Sequence, residues 1–188
     1  EKIIGKKIKT VLVKGRQNFI CLRRLEDIAN DRDMFSEDTE TIDKIAEWAK
    51  SSPTGSRSDL PFMPPENVWS RLCSESDACM GMRCVHREKC FVMRVRKEAA
   101  GANLLIVNHH LLFADIESRM SGIGYDDAAV LPPYRRLIFD EAHDIESSAT
   151  SFFSAGLTRF RLMRFLNRLY RKKRNSLAGY LFTLQALS

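Results

Sequence analysis

Arg136-Leu137-Ile138-Phe139-Asp140-Glu141-Ala142-His143 is the stretch that decides how the rest of this chain is read. Leu137 to Phe139 predict the end of a buried strand, and an acidic pair follows at its carboxyl edge. In open α/β sheets that edge is where ligands bind. Asp140 there can hold Mg²⁺ on a nucleotide, and Glu141 can orient or deprotonate a water. No Gly-x-x-x-x-Gly-Lys-Ser/Thr phosphate loop occurs anywhere in the 188 residues. The stretch therefore reads as one part of a nucleotide site whose phosphate cradle is absent from this sequence.

Working outward, Asn103 to Val107 is a continuous apolar run of strand length between Gly101 and Asn108, which predicts a strand covered on both faces of a parallel sheet. His109 to Met120 predicts a helix, followed by a Gly- and Pro-containing connection from Ser121 to Pro133. Nearer the N-terminus, Lys9 to Val13 predicts another strand, entering a turn at Lys14-Gly15-Arg16. Apolar spacing at Ile42, Ile45, Ala46 and Ala49 predicts an amphipathic helix over 40–50. Ser51 to Pro65 is a Pro- and Ser-rich loop, Val68-Trp69 opens a short helix, and His86 to Ala100 predicts a helix stopped by Gly101. Beyond the acidic pair, Thr158 to Arg174 predicts a basic amphipathic helix, and Leu177 to Leu187 a further one. The class is α/β.

The length allows one core, or one domain with an elaborate insertion. A start at Glu1 without Met suits an excised piece. With no signal peptide and no apolar run near a membrane span, a soluble cytoplasmic protein with no membrane partner is expected. Thirty Lys+Arg against 24 Asp+Glu leave a net charge of +6, unevenly placed. Residues 26–47 are acidic, whereas from Ser147 onward there is no acidic residue and basic residues cluster between Arg159 and Arg174. A polyanion is the natural partner for that run, and Arg164 and Arg168 are candidate DNA contacts within it. Lys14 and Arg16, beside a turn, are candidates for backbone phosphate contacts.

Five cysteines argue against a closed disulfide framework. Cys73, Cys79, Cys84 and Cys90 fall within 18 residues, and such crowding points to metal or cluster ligation. The spacing Cys79-x4-Cys84-x5-Cys90 is wider than most zinc knuckles and suits a larger inorganic core, which needs four ligands. On spacing alone the fourth is Cys73 or Cys21, and zinc stays open beside an iron–sulfur cluster. Arg83, Arg87 and Lys89 flank the run and favour thiolates. His86 could replace one thiolate. Phe62, Trp69 and Phe91 divide between base stacking and core packing. His109 and His110, adjacent along the chain, suit packing near the acidic strand better than a metal site.

Several of these segments resemble a known family. Lys14-Gly15-Arg16-Gln17-Asn18-Phe19-Ile20-Cys21 resembles the Lys-Gly-Arg-x-Asn-Tyr-x-Cys segment of the DinG/XPD iron–sulfur DNA helicases. Trp48-Ala49 with Pro53-Thr54-Gly55 is similar to a Trp…Thr-Gly segment of bacterial DinG-like members, and Cys79, Cys84 and Cys90 with Phe91 resemble their cysteine run. Ala102 to Leu112 resembles their Ala-Asp-x3-Val-Asn-His-x-Leu-Leu signature, and the DEAH box follows in order, as in the Walker B box of superfamily 2 helicases.

The resemblance implies a partial RecA-like motor domain with parallel strands, interrupted by a mainly helical iron–sulfur domain and followed by the start of a helical arch. Its parts would be a motor segment at 1–20, the cluster domain at 21–100, a motor segment with the DEAH box at 101–146, and the arch from 147–188. It implies a 4Fe-4S cluster on Cys21, Cys79, Cys84 and Cys90, with Cys73 spare. Asp140 would bind Mg²⁺, Glu141 would activate water, and His143 would couple hydrolysis to DNA movement. The implied activity is ATP-dependent 5′-3′ unwinding in DNA repair by a monomer that tracks single-stranded DNA and meets fork or flap DNA. Lacking the phosphate loop, this chain alone is expected to be inactive. The rival reading is a non-catalytic zinc-stabilised nucleic-acid-binding module.

Overall fold

In the computed structural model, residues 5, 7–30, 38–122, 130–154, 166, 169–173 and 176–178 are described. They divide into two units, 1–145 and 146–188.

The first unit is built on two short parallel strands, β1 (Thr10–Leu12) and β2 (Leu104–Ile106), paired as Thr10↔Leu104, Val11↔Leu105 and Leu12↔Ile106. The Val13 N–H extends the ladder by donating to the Ile106 carbonyl at 2.9 Å. Parallel neighbours require a long crossover. Here residues 13–103 supply it, and they contain every cysteine of the chain. Asn103 secures the entry to β2, its side-chain oxygen accepting from Lys9 N–H at 3.0 Å.

Among the described residues the crossover contains four α-helices: α1 (Leu22–Asn30), α2 (Thr39–Ser51), α3 (Glu66–Leu72) and α4 (Phe91–Ala100). α2 buries Ile42, Ile45 and Ala49, the face its spacing predicts. α3 buries Val68, Trp69 and Leu72, and these meet Phe19, Ile20, Leu25, Phe91 and Val92 in one apolar cluster. Each fully buried large side chain there contributes about 1.5–3 kcal/mol. The Trp69 ring nitrogen donates to the Gln17 carbonyl at 2.9 Å, so its burial leaves no donor unmet. A second cluster, Val13, Ala99 and Leu131 with Val11, Leu105, Val107, Leu111 and Tyr134 against them, lies beside the parallel pair.

After β2, α5 (His109–Met120) matches its sequence-based limits. Asn108 caps it, accepting the Leu111 N–H at 2.9 Å.

Four expectations need correction. The helix expected from His86 starts only at Phe91, because Cys84 to Cys90 is taken up by i→i−3 turns: Arg87 N–H to Cys84 O, Lys89 to His86 and Cys90 to Arg87. Leu137 to Phe139 is not a strand. It is exposed, Ile138 to 90%, and pairs with nothing among the described residues, since β1 and β2 bond only each other. For the same reason β2 is not covered on both faces, and Leu104 and Ile106 are 44% and 51% exposed.

The fourth lies in the second unit, which holds α6 (Ile145–Phe153) over most of its length and an antiparallel pair, β3 (Arg171–Lys173) with β4 (Ser176–Ala178). The basic helix through Arg174 and the helix from Leu177 therefore fail at these residues. Successive cations crowd one turn of a helix, whereas a strand sends them to alternate faces. Leu166 and Leu169 are helical; the remaining residues from 155 to 168 lie outside the described ones.

Candidate functional site

The DEAH residues follow the irregular 135–139 segment in a tight turn. Ala142–Asp144 form one 3-10 turn, closed by Asp144 N–H donating to Glu141 O at 2.9 Å. Glu141 adopts φ 50 and ψ 50, the left-handed region, and among the described residues it is the only non-glycine with positive φ. A side chain there costs about 1–2 kcal/mol. Asp140 steadies the turn, its Oδ1 accepting the Glu141 N–H at 3.1 Å. His143 lies 3.4 Å through Nδ1 from the Glu141 carboxylate and 3.7 Å through Nε2 from that of Asp144. Asp140, Glu141 and His143 are all exposed. The turn thus presents two successive carboxylates to solvent.

Behind the turn, the His109 ring stacks on Phe139 (centroids 6.2 Å apart, planes 16° apart) and on Phe113 (6.4 Å, 22°). His109 therefore packs α5 against the residue that precedes the acidic pair, as its place in the sequence suggests.

A further support was invisible to motif reading. Asp115 and Arg119 are buried on the inner face of α5, with Arg119 Nε donating to Asp115 Oδ2 at 2.7 Å. Asp115 Oδ1 accepts the N–H groups of Val130 and Leu131 at 3.0 and 2.7 Å, and Arg119 Nη2 donates to Leu131 O at 3.1 Å. The guanidinium also lies 5.3 Å from the Tyr134 ring centre. This clasp ties α5 to Val130 and Leu131, six to seven residues before the Leu137–Phe139 run. The signal available was the i, i+4 acid–base spacing on a helix otherwise apolar on that side.

The five cysteines fall into two chemical classes. Cys73 is 3% exposed, its thiol directed at the Ser70 carbonyl 3.7 Å away, and burial pushes its pKa up. It is a packed core thiol. Cys79 is exposed; the Gly81 N–H chiefly, with the Arg16 guanidinium, pulls its thiol below the ordinary value. Cys90 sits at the N-cap of α4, and Cys21 immediately precedes α1, its carbonyl accepting the Leu25 N–H at 3.0 Å. Cys84 lies between, half-buried. Arg96 is desolvated and faces Arg16, which together hold its pKa down, while Cys79 and Cys90 raise it. Two guanidiniums thus attend two of the thiols.

Cys79 and Cys90 thus lie in an electropositive setting, whereas Cys73 is buried. Among the described residues, no three of His, Cys, Asp and Glu converge closely enough to hold a single metal ion. His86 Nε2 instead meets Glu26 Oε2 at 2.7 Å.

Of the DNA candidates, Lys14 donates to Ser56 Oγ (3.0 Å) and Ser58 Oγ (2.7 Å), and Arg16 to the Glu75 carbonyl at 3.5 Å. Both therefore bind other parts of the crossover. Arg164 and Arg168 lie outside the described residues. Trp69 and Phe91 are core, which removes them as base-stacking platforms, and Phe62 is partly buried against the same cluster.

No family model matches the chain. The ATP-dependent DNA helicase YoaA of Haemophilus influenzae is 33% identical over 172 residues, covering 87% of this chain and 26% of that protein. The ATP-dependent helicase DinG of Mycobacterium tuberculosis is 32% identical over 165 residues, covering 80% and 24%. This chain is homologous to one segment of the DinG-type helicases. The DinG-like match extends at 25% identity to the 3′-5′ exonuclease DinG of Bacillus subtilis, of which it covers 16%. The chain thus spans about a quarter or less of the length of these relatives.

Proposed function

We propose that this chain is the part of an ATP-dependent DNA helicase that carries the DEAH carboxylates and a 4Fe-4S domain. The observation that carries the reading is the Asp140–Glu141 turn, two successive exposed carboxylates on a strained backbone. Strain of that kind concentrates at working sites. Asp140 would hold Mg²⁺ on ATP, Glu141 would take the proton of the attacking water, and His143, within reach of Glu141, would relay the state of that carboxylate.

The motor segments would be residues 1–20 and 101–146, the cluster domain 21–100, and the arch would begin at 147. Cys21, Cys79, Cys84 and Cys90 would hold the cluster. The burial of Cys73 and the helix N-termini at Cys21 and Cys90 favour Cys21 as fourth ligand. When bound, the cluster supplies a rigid anionic centre that fixes α1, the cysteine turns and α4 together. The DNA contacts would come from the basic stretch containing Arg164 and Arg168 more than from Lys14 and Arg16, which are engaged internally.

The intact protein would act as a monomer in the cytoplasm, moving 5′ to 3′ on single-stranded DNA and opening forks or flaps. No helix among the described residues is long and apolar enough to cross a membrane. Forked duplexes labelled on one strand, incubated with the intact protein, ATP and Mg²⁺, test this. Release of intact labelled strand from a 5′-tailed substrate is expected. Shortened strands released without ATP would favour the nuclease reading that the name of the Bacillus subtilis relative suggests. Stoichiometric zinc without iron or sulfide would replace the cluster with a zinc module.

A further inference from the structure

The loop Ser52-Pro53-Thr54-Gly55-Ser56-Arg57-Ser58-Asp59 is bonded far more heavily than a surface connection requires. Ser52 Oγ accepts the Gly55 N–H at 2.9 Å and Thr54 Oγ1 accepts the Ser56 N–H at 3.1 Å. The Thr54 and Ser58 hydroxyls both donate to the Asp59 carboxylate, and Lys14 donates to Ser56 and Ser58. Its Gly55 carbonyl accepts the N–H of Ile20 at 2.9 Å, next to the Phe19↔Ser56 bridge. On the other side, the Phe91 ring occupies the space a side chain at Gly55 would need. A methyl there would come within 2.7 Å of Cδ1 and closer still to Cγ and Cδ2. Its φ of +62 is a second reason for glycine.

Ile20 precedes Cys21 and Phe91 follows Cys90. A single glycine therefore touches the immediate neighbours of two cysteines that lie far apart in sequence. Each of those cysteines also stands at the N-terminus of its own helix. We propose that Gly55 is a positioning residue for the cluster: the bracket 52–59 sets the separation of Cys21 and Cys90, with Gly55 as the spacer. This rests on the cluster reading above. A hydrogen bond fixes the spacer to Ile20, next to Cys21, and ring contact with Phe91 meets it at the start of Cys90's helix. The Cys90 side is therefore the one that a side chain at residue 55 would displace.

The test uses the intact protein purified anaerobically as wild type, Gly55→Ala and Gly55→Ala/Phe91→Leu. Gly55→Ala is expected to lower bound iron and acid-labile sulfide about 10-fold, the scale on which outer-shell changes weaken metal sites. The visible charge-transfer absorption should fall in step, while far-UV circular dichroism is retained. The double variant relieves the ring contact and is expected to regain iron and absorption. Any φ strain is common to both variants, so their difference reports the ring contact. Should Gly55→Ala fail to fold, the double variant decides: folded and loaded supports the spacer, folded and iron-free overturns it. Gly55→Ala loaded as fully as a loaded wild type overturns the spacer while leaving the cluster reading intact. A wild type without iron or sulfide overturns both.

Discussion

The cysteine crossover and the DEAH segment lie in one unit, and they are stabilised in opposite ways. The crossover has its own apolar cluster around Trp69 and Leu72, and α1 clamps the chain before Cys79 through Arg23 to Ala78 O and Arg24 to Cys73 O, 2.8 and 2.7 Å. The DEAH segment has no ladder partner among the described residues, and its apolar residues face solvent. What holds it is behind it: the His109–Phe139 stack and the Asp115–Arg119 clasp. A region that closes its own core can be positioned by local sequence. One whose side chains await neighbours is legible as chemistry before it is legible as structure.

The widest gap between the two regions should appear in amide exchange. Amides of α3 around Trp69 are expected to exchange about 1000-fold or more slowly than those of 136–144, since local opening ranges from near zero to the global stability. Equal rates would erase the contrast. Next in size is the clasp. Asp115→Ala leaves Arg119 buried without its carboxylate and is expected to cost about 3 kcal/mol, read from the urea midpoint. Loss of protection should centre on 130–144 and spare α3.

Within the crossover, the thiols should react unequally in cluster-free protein. Cys79, exposed and held below the ordinary thiol value, should be alkylated first at neutral pH. Cys73, buried and pushed up, should react last. Its protection should vanish in denaturant.

The smallest effect concerns the stack. Phe139→Leu removes one aromatic partner of His109 and should cost about 0.5 kcal/mol, visible as a small fall in thermal midpoint.

Much of the crossover was legible because its signals are local. The apolar spacing of α2 and Gly101 behind α4 each act within a few residues. Leu137–Phe139 misled because an apolar run of strand length reports a preference for burial, not the presence of a partner to bond. The His86 start misled because helix-forming residues between cysteines were taken up by successive turns. Gly55 and the Asp115–Arg119 pair were missed for a different reason. Their significance lies in contacts to Ile20, Phe91, Val130 and Leu131, which no local pattern encodes.

At the site, Asp140, Glu141 and the cysteine run stood out as candidates from residue type and spacing alone. The internal bonding of Lys14 and Arg16 was not, since a basic residue at a turn looks the same whether it meets phosphate or protein. The carboxylate dyad at the DEAH turn is the centre of the account, and DNA-stimulated ATP hydrolysis by intact Glu141→Gln protein measures it most directly. Turnover is expected to fall about 100- to 10,000-fold, the range for losing a general base, with iron content and ATP binding unchanged; turnover equal to wild type would contradict the assignment.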